Sequence, residues 1–170
     1  MIRKADVGDA SAIAHIRVEG WRIAYKGLIP DSILNALDYK TQENKVTNRI
    51  TGIDKDFTSN ILVYEEANEI LAYTYYGKAL DSLNNQYQGE VVALYVRPDK
   101  KGQGIGTQLI NRVKELLKEE GYSNMIIWCL KENYPSLKFY EHLGGVIKEE
   151  RDFEIEGVKV SELGIVYELI

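Results

Sequence analysis

The stretch "EVVALYVRPDKKGQGIGTQLI", Glu90 to Ile110, frames the reading of the whole chain. It opens as an apolar run, breaks at Pro98, passes glycines at alternate positions (Gly102, Gly104 and Gly106) and then changes period. From Ile105 onward, Leu109, Ile110, Val113, Leu116 and Leu117 recur at spacings of three and four, one apolar stripe on a helix ending near Gly121. The next apolar run, "MIIWCL", predicts a buried strand, and "PSLKFYEHL" predicts a second helix stopped by Gly144-Gly145. Strand, glycine loop, helix, strand, helix is the order of a parallel, right-handed βαβ unit.

Outward from this centre the pattern is mixed. "IRKA" is a short strand, and Asp9 is placed to cap a helix with apolar positions Ile13, Ile16 and Gly20. "WRIAYKGLIPDSIL" breaks at Gly27 and restarts after Pro30, and "TQENKVTNRI" predicts a polar, exposed helix. "NILVYEEA" and "EILAYTYYGKA" predict a hairpin turning through Ala67-Asn68, while "VIKEERDFEI" and "VSELGIVYEL" predict two closing strands. The expected fold class is α/β (mixed α+β): a mostly antiparallel sheet of six to seven strands with helices on both faces. No linker or repeat divides the chain, so one domain over 1–170 is expected.

Composition narrows the function classes. Apolar residues are 45% and charged residues 28%, an ordinary soluble mixture. The net charge of −5 argues against a general nucleic-acid binder, which concentrates Lys and Arg on one face. A single cysteine, Cys129, excludes an intramolecular disulfide framework and suits a reducing cytoplasm. "MIRKADVGDA" lacks an apolar core, so no signal peptide is expected, and "VVALYV" and "MIIWCL" are too short to cross a bilayer.

The glycine loop points to an anion. A glycine-rich turn entering a helix exposes several N–H groups at the positive end of the helix dipole. Absent side chains let phosphate or pyrophosphate approach, and Lys100 and Lys101 add charge there. The bland alternative is a strand-to-helix turn whose glycines only ease packing. The dinucleotide pattern G-x-G-x-x-G fails because Thr107 stands where its third glycine would fall. The triphosphate loop G-x-x-x-x-G-K-[ST] fails because no lysine separates Gly106 from Thr107.

This segment resembles the central signature of the GNAT superfamily of acyl-CoA-dependent N-acyltransferases, with Lys101 where Gln or Arg is usual. "ENYPSLKFYEHLGG" resembles the family's later motif: Asn133, Phe139, Tyr140 and Gly144 match, Ser136 replaces an alanine, and Gly145 stands where an aromatic is common. "IRKADVGDASAIAHI" is similar to the family's first strand and helix. The resemblance implies an acetyl-CoA co-substrate, no metal, and direct attack of an amine on the thioester in a ternary complex. It implies that Lys101, Gly102, Gln103, Gly104, Ile105, Gly106 and Thr107 wrap the pyrophosphate. Leu94, Tyr95 and Val96 would meet the pantetheine arm through backbone groups on a strand splayed from its parallel neighbour, and Asn133, Ser136 and Tyr140 would also contact the cofactor. Tyr140 would protonate the departing thiolate, since phenol still holds a proton at pH 7 where a carboxyl has lost its own. As a residue alone, Tyr140 also reads as core, three positions from Leu137 and from Leu143.

An alkyl amine is mostly protonated at neutral pH, so a base or a water relay must free it. Glu90 resembles the family's catalytic glutamate; its other reading is a solvated carboxylate at a strand end. Glu65 and Glu66 read as exposed hairpin charges, and Cys129 as a packed hydrophobe. His15 and His142 have no partner at ligand spacing, so no metal site is expected. "YTYY" reads as cross-strand pairs. Trp21 and Tyr25, four apart, either wall an amine pocket or staple the helix to the sheet. The W-x-x-x-Y-x-G-x-I-P arrangement is similar to a bacterial subgroup that includes polyamine acetyltransferases. A polyamine-like small amine therefore leads as acceptor, with a protein N-terminus, an antibiotic amine or an amino acid behind it. A non-catalytic module binding CoA or another phosphorylated ligand is the alternative of different class. Family members often pair, so a homodimer is a further expectation; nucleic-acid and membrane partners are not.

Overall fold

A computed structural model describes residues 1–80 and 86–170. Its strands are β1 (Ile2–Lys4), β2 (Asn60–Glu66), β3 (Glu69–Lys78), β4 (Gly89–Val96), β5 (Asn124–Leu130), β6 (Val146–Ile155) and β7 (Val158–Glu168). They form one seven-stranded sheet in the order β1-β2-β3-β4-β5-β7-β6. The helices are α1 (Ala10–Ala24), α2 (Asp31–Asn35), α3 (Tyr39–Ile50), α4 (Ile105–Glu119) and α5 (Tyr134–His142). The expected mixed sheet is therefore present. Contacts divide the chain into two compact units: Met1–Tyr75 with Ala93–Ile110, and Tyr76–Val92 with Asn111–Ile170.

In the first unit, α1 packs against α3, and Ile13, Ile16, Val46, Val63, Tyr73 and Tyr75 share one core cluster. The polar helix "TQENKVTNRI" belongs to α3 and is anchored chiefly by buried Val46. It starts two residues before Thr41 because Asp38 caps it, accepting from the Thr41 N–H at 2.8 Å. The β2–β3 hairpin turns through Ala67 and Asn68, both left-handed (φ 51° and 64°), as the dipeptide predicts. Asp9 departs from expectation. Its side chain caps nothing in α1; it takes two bonds from Arg3, at 2.7 and 2.9 Å, and one from the Asp6 N–H at 2.8 Å. Arg3 also reaches Glu65 at 2.7 Å, so Glu65 is a half-buried ion-pair partner rather than a free surface charge.

In the second unit, β5 is the central strand. It pairs parallel with β4 from Gly89↔Met125 to Val91↔Ile127, and antiparallel with β7 along its whole length. The β6–β7 hairpin turns at left-handed Glu156 and Gly157, and β7 starts two residues before the expected Val160. Gly145 is enforced by packing: a Cβ there would lie 2.3 Å from Ile165 Cγ2 and 2.8 Å from Tyr167 Cζ. Tyr167 and Ile165 thus occupy the space an aromatic at position 145 would need.

Candidate functional site

The glycine loop belongs to the first unit. A 3₁₀ turn, Pro98–Lys100, leads to extended Lys101 (φ −64°, ψ 151°), and Gly102 and Gly104 follow at φ +79° and +78°. Among the described residues, their own chain neighbours aside, no atom lies within 4 Å of where their Cβ atoms would be, and residues Lys101 to Gly104 are exposed. The glycines therefore serve a backbone conformation L residues avoid and leave open space beside it, which the packing-only reading does not require. Gly104 accepts the first helical bond of α4, from the Gln108 N–H at 3.0 Å. The N–H groups of Ile105, Gly106 and Thr107 stand in the first turn, where a helix has no internal partners for them. Ile105 is buried at 4% exposure and anchors the loop's exit.

The loop's entry is clasped. The Arg97 N–H donates to the Leu71 carbonyl at 2.8 Å, and its guanidinium pairs with Asp99 (2.7 Å) and Glu69 (3.1 Å). Arg97 is thus committed to neighbouring acids, and Lys101 is the exposed cation of the loop. Before it, Leu94, Tyr95 and Val96 are half-buried although they lie on an interior strand, and β4 runs on to Val96 beyond the residues it pairs with β5.

Glu90, Asn133, Ser136 and Tyr140 belong to the second unit. Glu90 corrects one sequence alternative: it is 5% exposed, not a solvated strand end, and its Oε2 accepts the Leu80 N–H at 2.8 Å. Asn133 caps α5, its Oδ1 accepting from the Ser136 N–H at 3.4 Å, with Pro135 in the first turn. Tyr140 is buried on the inner face of α5, edge-on to Phe139 at 5.2 Å. Its backbone carbonyl accepts from the Tyr167 hydroxyl at 2.6 Å and from the Gly145 N–H at 3.1 Å. Cys129 is buried, and burial, aided by Glu162, pushes its thiol up to about 12, the setting of an inert packed thiol.

Trp21 and Tyr25 meet as their spacing predicts, with ring centroids 4.8 Å apart. Helix α1 lies directly on β4 here: a Cβ on Gly20 would approach Tyr95 Cδ1 to 2.4 Å. Tyr73 pairs across the sheet with Tyr95 at 5.7 Å, fulfilling the cross-strand reading of "YTYY". One residue the sequence reading passed over stands among them. The Arg17 guanidinium carbon lies 5.2 Å over the Trp21 ring. Its signal was a charged residue on the stripe Ile13, Ile16, Gly20 of an amphipathic helix.

Three acids of the late hairpin are held in ion pairs. Glu150 pairs with Lys131 (2.6 Å), Asp152 with Lys159 (3.1 Å) and Glu162 with Arg151 (3.3 Å). Among the described residues no three His, Cys, Asp or Glu gather into a metal-holding group, and no helix is long and apolar enough to cross a membrane.

The profile of the Acetyltransferase (GNAT) family matches residues 28–145. The chain is 31% identical over 165 residues to the uncharacterized N-acetyltransferase YuaI of Bacillus subtilis, covering 96% of this chain and 90% of that one. Among solved structures it is similar to the PaiA N-acetyltransferase of Thermoplasma acidophilum in complex with coenzyme A (TM-score 0.73, 16% identity, 95% and 96% of the two chains). It is also similar to YncA of Salmonella typhimurium, a putative acetyltransferase with its cofactor acetyl-CoA (TM-score 0.71, 21% identity, 100% and 94%).

Proposed function

This chain belongs to the acetyltransferase (GNAT) family and is an N-acetyltransferase with acetyl-CoA as its co-substrate, and from that premise we propose how its own residues do the work. The observation that carries the proposal is the exposed, left-handed pair Gly102 and Gly104 opening the first turn of α4. Its donors and open space fit a pyrophosphate, with Lys101, Gln103, Ile105, Gly106 and Thr107 completing the cradle. The backbone of Leu94, Tyr95 and Val96, beyond the part of β4 paired with β5, meets the pantetheine arm by strand-like hydrogen bonds. Asn133 has spent its side-chain carbonyl on the α5 cap, so its amide N–H₂ is the group that faces the cofactor, beside Ser136.

The amine nitrogen attacks the thioester carbon, the carbon–sulfur bond breaks, and the acetyl group leaves on nitrogen. Tyr140 supplies the proton that the departing thiolate needs. Glu90, or a water it polarises, takes the proton that the amine must lose. A backbone N–H of β4 steadies the charge that develops on the thioester oxygen. The acceptor is a small primary amine, the whole chain 1–170 acts as one acetyltransferase domain, and the cytoplasm is its setting.

The test is thiol release from acetyl-CoA against separate amines: spermidine, lysine, an aminoglycoside and short peptides with free N-termini. Release that depends on one amine and drops in Tyr140→Phe supports transfer with Tyr140 as proton donor. Tight acetyl-CoA binding with no release for any amine would favour the non-catalytic module instead.

A further inference from the structure

The arginines around α1 and α3 are each answered by an acid: Arg3 by Asp9 (2.7 Å), Arg22 by Glu19 (3.7 Å) and Arg49 by Asp54 (3.6 Å). Arg17 is different. Among the described residues no carboxylate pairs with it, although it is half-buried beside Trp21, Tyr73, Tyr75 and Tyr95. The same place holds polar groups that make no hydrogen bond among the described residues. The hydroxyls of Tyr73 (0% exposed) and Tyr75 (2%) and the Nε1 of Trp21 are buried without a hydrogen-bond partner. Arg17 stands close enough to Tyr73 to act on its hydroxyl, but not in a geometry that satisfies it.

These groups have one chemistry in common. Guanidinium and indole N–H only donate, and a phenol donates readily, so the cluster is a set of donors around a positive charge. Buried polar groups are ordinarily paired, and a buried cation ordinarily has a counter-charge. A trapped water could bond the hydroxyls, yet it could not balance the Arg17 charge. The missing complement is a small oxyanion. Against a planar, monovalent guanidinium fork, a carboxylate matches in shape and charge.

We propose that Arg17, with Tyr73, Tyr75 and Trp21, binds a carboxylate carried by the amine acceptor, making the substrate class amino-acid-like rather than polyamine-like. The inference rests on the acetyl-transfer reading above and names the acceptor for it. All four residues lie in the first unit, as does Tyr95, whose neighbours Leu94 and Val96 are assigned to the acyl donor. An acceptor anchored by its carboxylate at Arg17 is thus tethered beside the strand that presents the acetyl group.

Initial rates would be measured with three acceptor pools: L-amino acids, the same amino acids as carboxamides, and amines without an anion (cadaverine and spermidine). The expected kcat/KM for the best amino acid exceeds that of its carboxamide by about 10- to 100-fold, the size of a lost charge-assisted hydrogen bond. In Arg17→Gln the advantage falls to within about threefold through KM of the acceptor, with KM of acetyl-CoA unchanged; Arg17→Lys, which keeps charge without the fork, falls between. Equal or better use of carboxamides or spermidine by the parent, or an advantage that survives Arg17→Gln, overturns the proposal. Should no amine be acetylated, the transfer reading fails, and thermal melts with the same pools still decide on Arg17. A melting point raised by amino acids in the parent and not in Arg17→Gln supports the carboxylate site; no rise with any amino acid overturns it. If Arg17→Gln does not fold, Arg17→Lys carries both comparisons.

Discussion

At the scale of single residues, what matters is which groups are already committed to structure. Glu90 was open to two sequence readings, and its burial and its bond to the Leu80 N–H remove the solvated one. They also give it a structural duty that can be separated from chemistry. Glu90→Gln keeps an oxygen for Leu80 and loses the charge, so the fold should hold while kcat/KM falls by about 100-fold, as for loss of a general base. Glu90→Ala should lose the same activity and, in addition, about 1–3 kcal/mol of stability for the unpaired Leu80 N–H. Urea unfolding and steady-state rates on the two variants separate the roles, and full activity in Glu90→Gln would assign the base to another group. The α5 start at Asn133 was legible because the motif and a helix-capping residue coincide there, and Tyr140 falls on its buried side as its spacing from Leu137 suggested. Arg17 was not legible, because its aromatic neighbours on β3 are more than fifty residues away in sequence and only the fold gathers them.

At the scale of elements, one of the chain's departures from its family's pattern finds a physical reason. Gly145, where an aromatic is common, is packed under Ile165 and Tyr167. Gly145→Ala should therefore destabilise by about 1–3 kcal/mol as an overpacked substitution, read as a lower urea midpoint with unchanged m-value. The first strand is tied to the chain by a different device. The hydrogen bonds from Arg3 hold the Asp9 carboxyl below the usual aspartate range, although burial opposes them. A folded-state value below the unfolded one contributes stability that is complete above the ordinary value of about 3.9. It is lost as the pH falls through the lower folded value. Asp9→Asn should accordingly be less stable than the parent at pH 7, with the gap narrowing below about pH 4; urea unfolding at pH 7, 5 and 3 would show it. That Asp9 would serve Arg3 rather than α1 was hidden from the sequence. An acid before a helix reads as its cap, and only the β1–β2 pairing brings Arg3 and Glu65 alongside.

At the scale of the whole molecule, charge is distributed against its own co-substrate: a chain of net charge −5 must hold a polyanion. On the proposed reading the attraction is local, from exposed Lys101 and the α4 N-terminus, whereas the repulsion is spread over the surface. Salt screens exposed charges within about 8 Å at physiological strength. The KM for acetyl-CoA should therefore rise several-fold between low and 0.5 M salt, and Lys101→Ala should remove most of that dependence; a salt-independent KM in the parent would place the binding energy elsewhere. The parallel β4–β5 unit and the β2–β3 hairpin were foreshadowed by period and turn residues, since those signals are local, whereas the order of the seven strands was not. The donor cluster at Arg17 was not, since it is assembled from distant strands and one helix. A half-buried guanidinium with no paired carboxylate among the described residues is a burden on the fold, and a laboratory selection for heat resistance alone should discard it early. Robust descendants of this chain would then be the ones that had forgotten which amine to choose.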